Sequence, residues 1–147
     1  MEFWRKNILV TCIIAWFIAQ LIKVVTTIIK EKRFDFRRFV GSGGMPSSHS
    51  SFVTSLATAI AIDCGFGSPE FAISVVFALV VMYDAAGVRR AAGQQAKILN
   101  KIVEEWGKAD VATTDKRLKE LLGHTPKEVF AGALLGILIA FLRHFSF

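Results

Sequence analysis

Apolar positions along the chain gather in long runs, broken by short polar or glycine-rich stretches. The first run, Asn7 to Ile29, is rich in Ile, Val, Trp and Phe and predicts a membrane helix. A hydrocarbon core about 30 Å thick takes roughly 20 apolar residues per helix. The run is too long for the apolar core of a signal peptide, and no small-residue cleavage site follows it. Gln20 and Lys23 interrupt it. An ionisable residue at that depth must face protein or snorkel to the interface, and Lys23 is near enough to the end to snorkel. A second span is expected from Pro46 to about Cys64. Its small residues, from Ser50 and Ser51 to Ala59 and Ala61, permit close approach and place it centrally in the bundle. Ser68-Pro69-Glu70 reads as a helix start, with a serine cap, proline at the first position and an acid in the first turn. That third span runs from about Glu70 to Tyr83. A last span opens at Thr125-Pro126-Lys127-Glu128 and continues to about Leu142. All three prolines thus fall at predicted helix starts, where the missing N–H is no loss.

Between Asp84 and Thr125 the pattern changes. Val88, Ala92, Gln95, Ile98, Leu99, Ile102, Val103 and Trp106 approximate a helical stripe. Residues 90–106 are therefore expected as an amphipathic helix on the bundle or the membrane surface. A polar break covers 107–114, and a shorter helix is expected over 115–122, stopped by Gly123. The fold class that follows is all-α: a polytopic membrane protein of about four transmembrane helices plus a cytoplasmic amphipathic helix, with residues 1–147 forming one domain.

Charge sets the expected orientation. Lys30, Lys32, Arg33, Arg37 and Arg38 lie in the first connector, and eight more basic residues lie between Arg89 and Lys119. Only Arg5, Lys6 and Arg143 fall on the other side. The positive-inside rule makes the basic side cytoplasmic, in a bacterial inner membrane; cations that bind phosphate would bias this count. The net charge of +6 comes without a basic helix of interleaved aromatics outside the apolar runs. It therefore points to anionic lipid or substrate and away from nucleic acid. Cys12 and Cys64 make neither a disulfide framework nor a metal spacing. Asp84, an acid without acidic partners, is a weak metal signal.

The chemistry gathers on the basic side. Gly41-Ser42-Gly43-Gly44-Met45-Pro46-Ser47-Ser48-His49-Ser50 is a glycine-rich turn entering a helix. Such a turn lets backbone approach a ligand, and the helix N-terminus favours an anion. The same residues also describe an ordinary serine-capped helix start with an incidental histidine. His49 and His124 each lie within three residues of a proline at a predicted helix start. His144 lies at the opposite end of the bundle. Two histidines among clustered cations suit phosphoryl transfer, one attacking phosphorus while the other protonates the leaving oxygen. That chemistry requires the two within about 6–8 Å. Thr125 and Glu128 also have the spacing of a capping box, so Glu128 reads equally as a cap or as an orienter of His124. Arg89 and Arg90 could bind phosphate or pair with Asp84.

Pro46-Ser47-Ser48-His49 resembles the Pro-Ser-Gly-His motif of the type 2 phosphatidic acid phosphatase and vanadium haloperoxidase superfamily. Lys30 and Arg37 match the spacing of its lysine–arginine motif, with Arg38 in place of the proline. His124 and Glu128 match the histidine and acid of its last motif, although Leu118 stands where the motif has arginine. Arg89, Arg90 or Arg117 could supply that charge. The runs GGMPSSHS, MYDAAGVRRAAGQQA and LLGHTPKEV look like the divergent bacterial and plastid branch of the superfamily.

The resemblance implies a metal-independent phosphoric ester hydrolase without a cofactor. His124 would be the nucleophile, His49 the general acid and base, and Glu128 the orienter. Lys30, Arg37, Gly44, Ser48, Arg89 and Arg90 would grip phosphate, with Asp84 and Thr125 behind them. The substrate would be a phosphate monoester or diphosphate lipid, such as phosphatidic acid, phosphatidylglycerophosphate or a prenyl diphosphate. The alternatives are a non-catalytic membrane module that binds lipid phosphate or a partner protein, and vanadate-dependent peroxidase chemistry. Since related phosphatases often carry more spans, a homodimer is an assembly the sequence admits.

Overall fold

The computed structural model of the chain describes residues 7–31, 44–107 and 123–145. They form the helices α1 (Ile8–Glu31), α2 (Ser48–Cys64), α3 (Pro69–Ala86), α4 (Val88–Gly107) and α5 (Pro126–Phe145). Among the described residues there is no strand. The basic connector with Arg37 and the short helix expected over 115–122 lie outside the described residues.

Helix α2 is the hub, packing on α5, α1 and α3. Its composition explains this. Ser50, Ser51 and Ser55 are fully buried, and Gly132 and Gly136 of α5 lie directly against it. A Cβ at Gly132 would overlap the Ser47 carbonyl, and one at Gly136 would overlap Thr54 Oγ1 and the Ser51 carbonyl. Small residues thus bring the two backbones together, as membrane helices commonly do. Hydroxyls stitch the contact. Thr54 Oγ1 donates to the Ala133 carbonyl at 3.1 Å, and Ser51 Oγ donates to the Ala15 carbonyl of α1 at 3.1 Å.

The outer faces are built the opposite way. On α1, Thr11, Cys12, Ala15, Ala19, Gln20 and Lys23 point inward, while Leu9, Ile13, Phe17 and Leu21 are exposed. On α3, Ser74 and Ala78 are buried and Ile73, Val76, Phe77 and Val80 are exposed. Small and polar inside, large and apolar outside, is the arrangement for a hydrocarbon solvent.

Among the described residues, three helical stretches are long and apolar enough to cross a membrane: Ile8–Ile29, Pro69–Glu105 and Pro126–Phe145. The four expected spans therefore become three plus α2, whose 17 residues begin with a polar turn. Helix α4 follows α3 after the single turn residue Gly87 and matches the helix expected over 90–106. Its apolar residues Ile98, Leu99, Ile102 and Val103 are exposed.

Two local expectations change. Pro46 is not the first helical residue. Ser47 is the N-cap, its side chain accepting from the Ser50 N–H, and Pro46 precedes it across a cis Met45–Pro46 peptide. A serine oxygen can satisfy an orphan helix N–H and a proline ring cannot, so the start falls one residue after the serine. At Ser68-Pro69 the cap stands before the proline and the expected order holds. Lys23 does not snorkel. It is only 2 % exposed, because the Gly44–Met45 turn folds over it.

Candidate active site at two converging helix starts

The starts of α2 and α5 are bound to each other. The Ser47 N–H donates to the Glu128 carbonyl at 3.0 Å. His49 is the second residue of α2 and is exposed. His124 stands two residues before α5 and is 2 % exposed. Its backbone N–H donates to the Ala85 carbonyl at the end of α3, at 3.0 Å, which ties the approach to α5 to the end of α3. The two imidazole rings meet edge to face with centroids 6.2 Å apart.

Glu128 is both the cap partner and the neighbour of His124. Its Oε2 accepts from the Thr125 N–H at 3.0 Å, while the Glu128 N–H donates to Thr125 Oγ1 at 3.4 Å. These two bonds are a capping box. The same Oε2 lies 3.2 Å from His124 Nδ1. A carboxylate at Nδ1 favours the proton there, which leaves the buried Nε2 as the ring atom able to attack an electrophile. One oxygen therefore ends a helix and sets a tautomer.

Other expected residues assemble unequally. Ser48 is buried in the first turn of α2, and Gly44 adopts φ +87 in the turn before it. Glycine enters that region without strain. Arg90 comes to the site through the backbone: a Cβ at Gly123 would overlap the Arg90 N and Cα atoms, so the first turn of α4 abuts the residue before His124. The Arg90 side chain is exposed. Asp84 sits in the last turn of α3, half-buried. Arg37, and the side chains of Lys30 and Arg89, lie outside the described residues. Among the described residues, no three His, Cys, Asp or Glu side chains gather as metal ligands.

Lys23 is the residue that the sequence reading placed elsewhere. Its stem runs beneath Gly44, whose Cβ would stand 3.1 Å from Lys23 Cγ. A signal was available. Lys23 continues the line Thr11, Ala15, Ala19 at four-residue steps, the small-residue face of the first run.

Comparison with known proteins agrees with this architecture. A family model described as the divergent PAP2 family matches residues 4–139. The membrane protein YuiD of Bacillus subtilis (strain 168) is 41% identical over 157 aligned positions, covering 100% of this chain and 99% of that protein. No solved structure matches the chain.

Proposed function

Because the chain belongs to the divergent PAP2 family, we propose that it is an integral membrane phosphatase acting on a phosphate monoester or diphosphate lipid through a phosphohistidine. The observation that supports this most is the meeting of His49 and His124 at 6.2 Å, with Glu128 on Nδ1 of His124.

In the first step Nε2 of His124 attacks phosphorus, and the P–O bond to the lipid breaks. His49 gives its proton to the departing oxygen. The Nδ1–H stays on Glu128, whose charge stabilises the cationic phosphoimidazole. In the second step His49 takes a proton from water as the water oxygen attacks phosphorus, and the P–N bond breaks to release orthophosphate. The equatorial oxygens need positive charge while this happens. The starts of α2 and α5, Ser48, the Gly44 turn and the cations Lys30, Arg37, Arg89 and Arg90 are the groups assigned to hold them. Lipid tails remain in hydrocarbon, so the substrate enters sideways from the cytoplasmic leaflet of an inner membrane.

A second reading has its own support. The capping box explains Glu128 fully without catalysis, and the same cradle could bind lipid phosphate and hold it unchanged. Phosphate release from a panel of lipid phosphates in detergent separates the two. The phosphatase reading expects release by the wild type that His124→Ala and His49→Ala each abolish while folding survives. Release from no lipid, or release indifferent to His124, would sink it in favour of the binding module.

A further inference from the structure

Helix α4 carries an apolar stripe that the two-histidine mechanism does not use. Ile98, Leu99, Ile102 and Val103 are exposed, whereas Gly93, roughly across the helix from the centre of that stripe, is buried. Two features decide what covers the stripe. The first is length. The helical stretch Pro69–Glu105 has 37 residues, about 55 Å of helix against a hydrocarbon core of about 30 Å. The 18 residues of α3 suffice for the crossing, and the stretch breaks at Gly87, so α4 begins where the hydrocarbon ends. The second is continuity. The outer face of α3 ends in exposed Val80 and Tyr83, and exposed Val88 carries it into α4. Exposed Arg90, Lys97 and Lys101 lie off the stripe, and the acids Glu104 and Glu105 follow the last of them. An apolar stripe with cations on the other face fits the headgroup boundary of an anionic bilayer. The first turn of the same helix touches the site. A Cβ at Gly123 would overlap the Arg90 N and Cα atoms, and the N–H of the next residue, His124, donates to the Ala85 carbonyl. One contact lies before the bend at Gly87 and one after it, so a tilt of α4 at the bend would move Arg90 against the backbone that carries His124.

We propose that α4 docks by its apolar stripe on the anionic headgroup surface beside α3, and that this docking holds the backbone of His124 in place. The docking stands apart from the phosphatase reading, and only its consequence for turnover rests on that reading. Docked, the helix lies in the interface with Leu99 and Ile102 toward the acyl chains and Lys97 toward water. Released, it swings at Gly87, and His124 loses one of its two backbone supports. The site is then complete only on a negatively charged membrane, the surface on which lipid phosphates lie.

The test uses the full chain in nanodiscs of phosphatidylcholine, with or without phosphatidylglycerol. A fluorophore is attached at Ile102→Cys or at Lys97→Cys in a Cys64→Ser background, since Cys12 is buried, and lipids bearing a nitroxide at headgroup depth quench it. The expected result is stronger quenching of the Ile102→Cys label than of the Lys97→Cys label, increased by phosphatidylglycerol. Equal quenching of the two labels overturns the docking, and quenching indifferent to phosphatidylglycerol overturns the part given to anionic lipid. Ile102→Cys labels shielded from lipid and close to one another across two chains overturn it in favour of a second copy on the stripe. If labelled Ile102→Cys does not fold, Leu99→Cys takes its place with the same expected and overturning results. The link to the site is read by NMR of isotopically labelled histidine, of which the chain has three. Leu99→Ser combined with Ile102→Ser removes two apolar anchors and should weaken docking roughly tenfold or more. It should also shift the His124 resonance and leave that of His144, at the far end of α5, in place. An unmoved His124 resonance in the undocked variant overturns the coupling. A shifted one in a protein that releases phosphate from no lipid supports the coupling while ending the phosphatase reading.

Discussion

The double use of Glu128 Oε2 can be taken apart by one substitution. Glu128→Gln leaves an oxygen able to accept from the Thr125 N–H, and a capping box takes Gln as readily as Glu. What the substitution removes is a charge 3.2 Å from His124 Nδ1. At an effective dielectric of about 20, a full imidazolium–carboxylate interaction at that spacing is worth about 5 kcal/mol. Glu128 is 20 % exposed, so solvent screening reduces it. About 3 kcal/mol of transition-state stabilisation remains, which is roughly a hundredfold in kcat. Stability should fall by less than about 1 kcal/mol, the share of a first-turn acid in the helix dipole. Thr125→Ala is the mirror experiment. It loses the cap oxygen, costs about 1 kcal/mol of stability, and should lower kcat by less than about tenfold. Both variants are followed by phosphate release under saturating lipid and by thermal unfolding in the same detergent. A Glu128→Gln protein with kcat within about threefold of wild type would refute the reasoning and leave Glu128 as a cap alone. Activity lost only in step with the unfolded fraction would refute it equally.

Two further substitutions address the bundle. Gly136→Ala places a Cβ onto Thr54 Oγ1 and the Ser51 carbonyl, and should destabilise by about 1–3 kcal/mol in thermal unfolding, whereas Gly67→Ala, with open space around it, should cost little. Thr11→Val deletes the acceptor that Arg143 Nη1 reaches at 2.7 Å; at the far end of the bundle it should cost about 1.5–3 kcal/mol of stability and leave kcat and KM unchanged.

Much of this architecture is written in short-range pattern. The first span, the α3 start at Ser68-Pro69, the helix over 90–106 and the last span each depend on apolar spacing or on a cap beside a proline, and each stands where those local signals put it. The central position of α2 follows from its serines and alanines, since a helix of small residues has little with which to face lipid. The capping box at Thr125–Glu128 was readable for the same reason. What escaped depends on residues distant in the chain. Lys23 has a stem long enough to reach either solvent or interior, and its burial is decided by a turn at Gly44–Met45, about twenty residues later. Arg90 adjoins the His124 loop only because Gly123 lets two backbones touch. No spacing rule encodes a contact made by a missing side chain across more than thirty residues. The start of α2 is decided locally, where a serine side chain that accepts from the Ser50 N–H outranks the adjacent proline.

The seams of α2 also bear on how the protein is made. A segment entering the bilayer is judged first on its own apolarity, and α2 opens with Ser48, His49, Ser50 and Ser51. Several of its hydroxyls turn back on its own carbonyls, as Thr58 does to Thr54 and Ser55 to Phe52. Thr54 also reaches the Ser50 carbonyl of its own helix at 2.8 Å, but the bond from Ser51 to the Ala15 carbonyl forms only once α1 is beside it, and the bond from Thr54 to Ala133 only once α5 is in place. Helix α1 is synthesised before α2, but α5 emerges about sixty residues after it. The helix that carries His49 is therefore less able than α1, α3 or α5 to settle in lipid alone, and its packing is complete only when the C-terminal span closes over it. Biogenesis and completion of the site become one event.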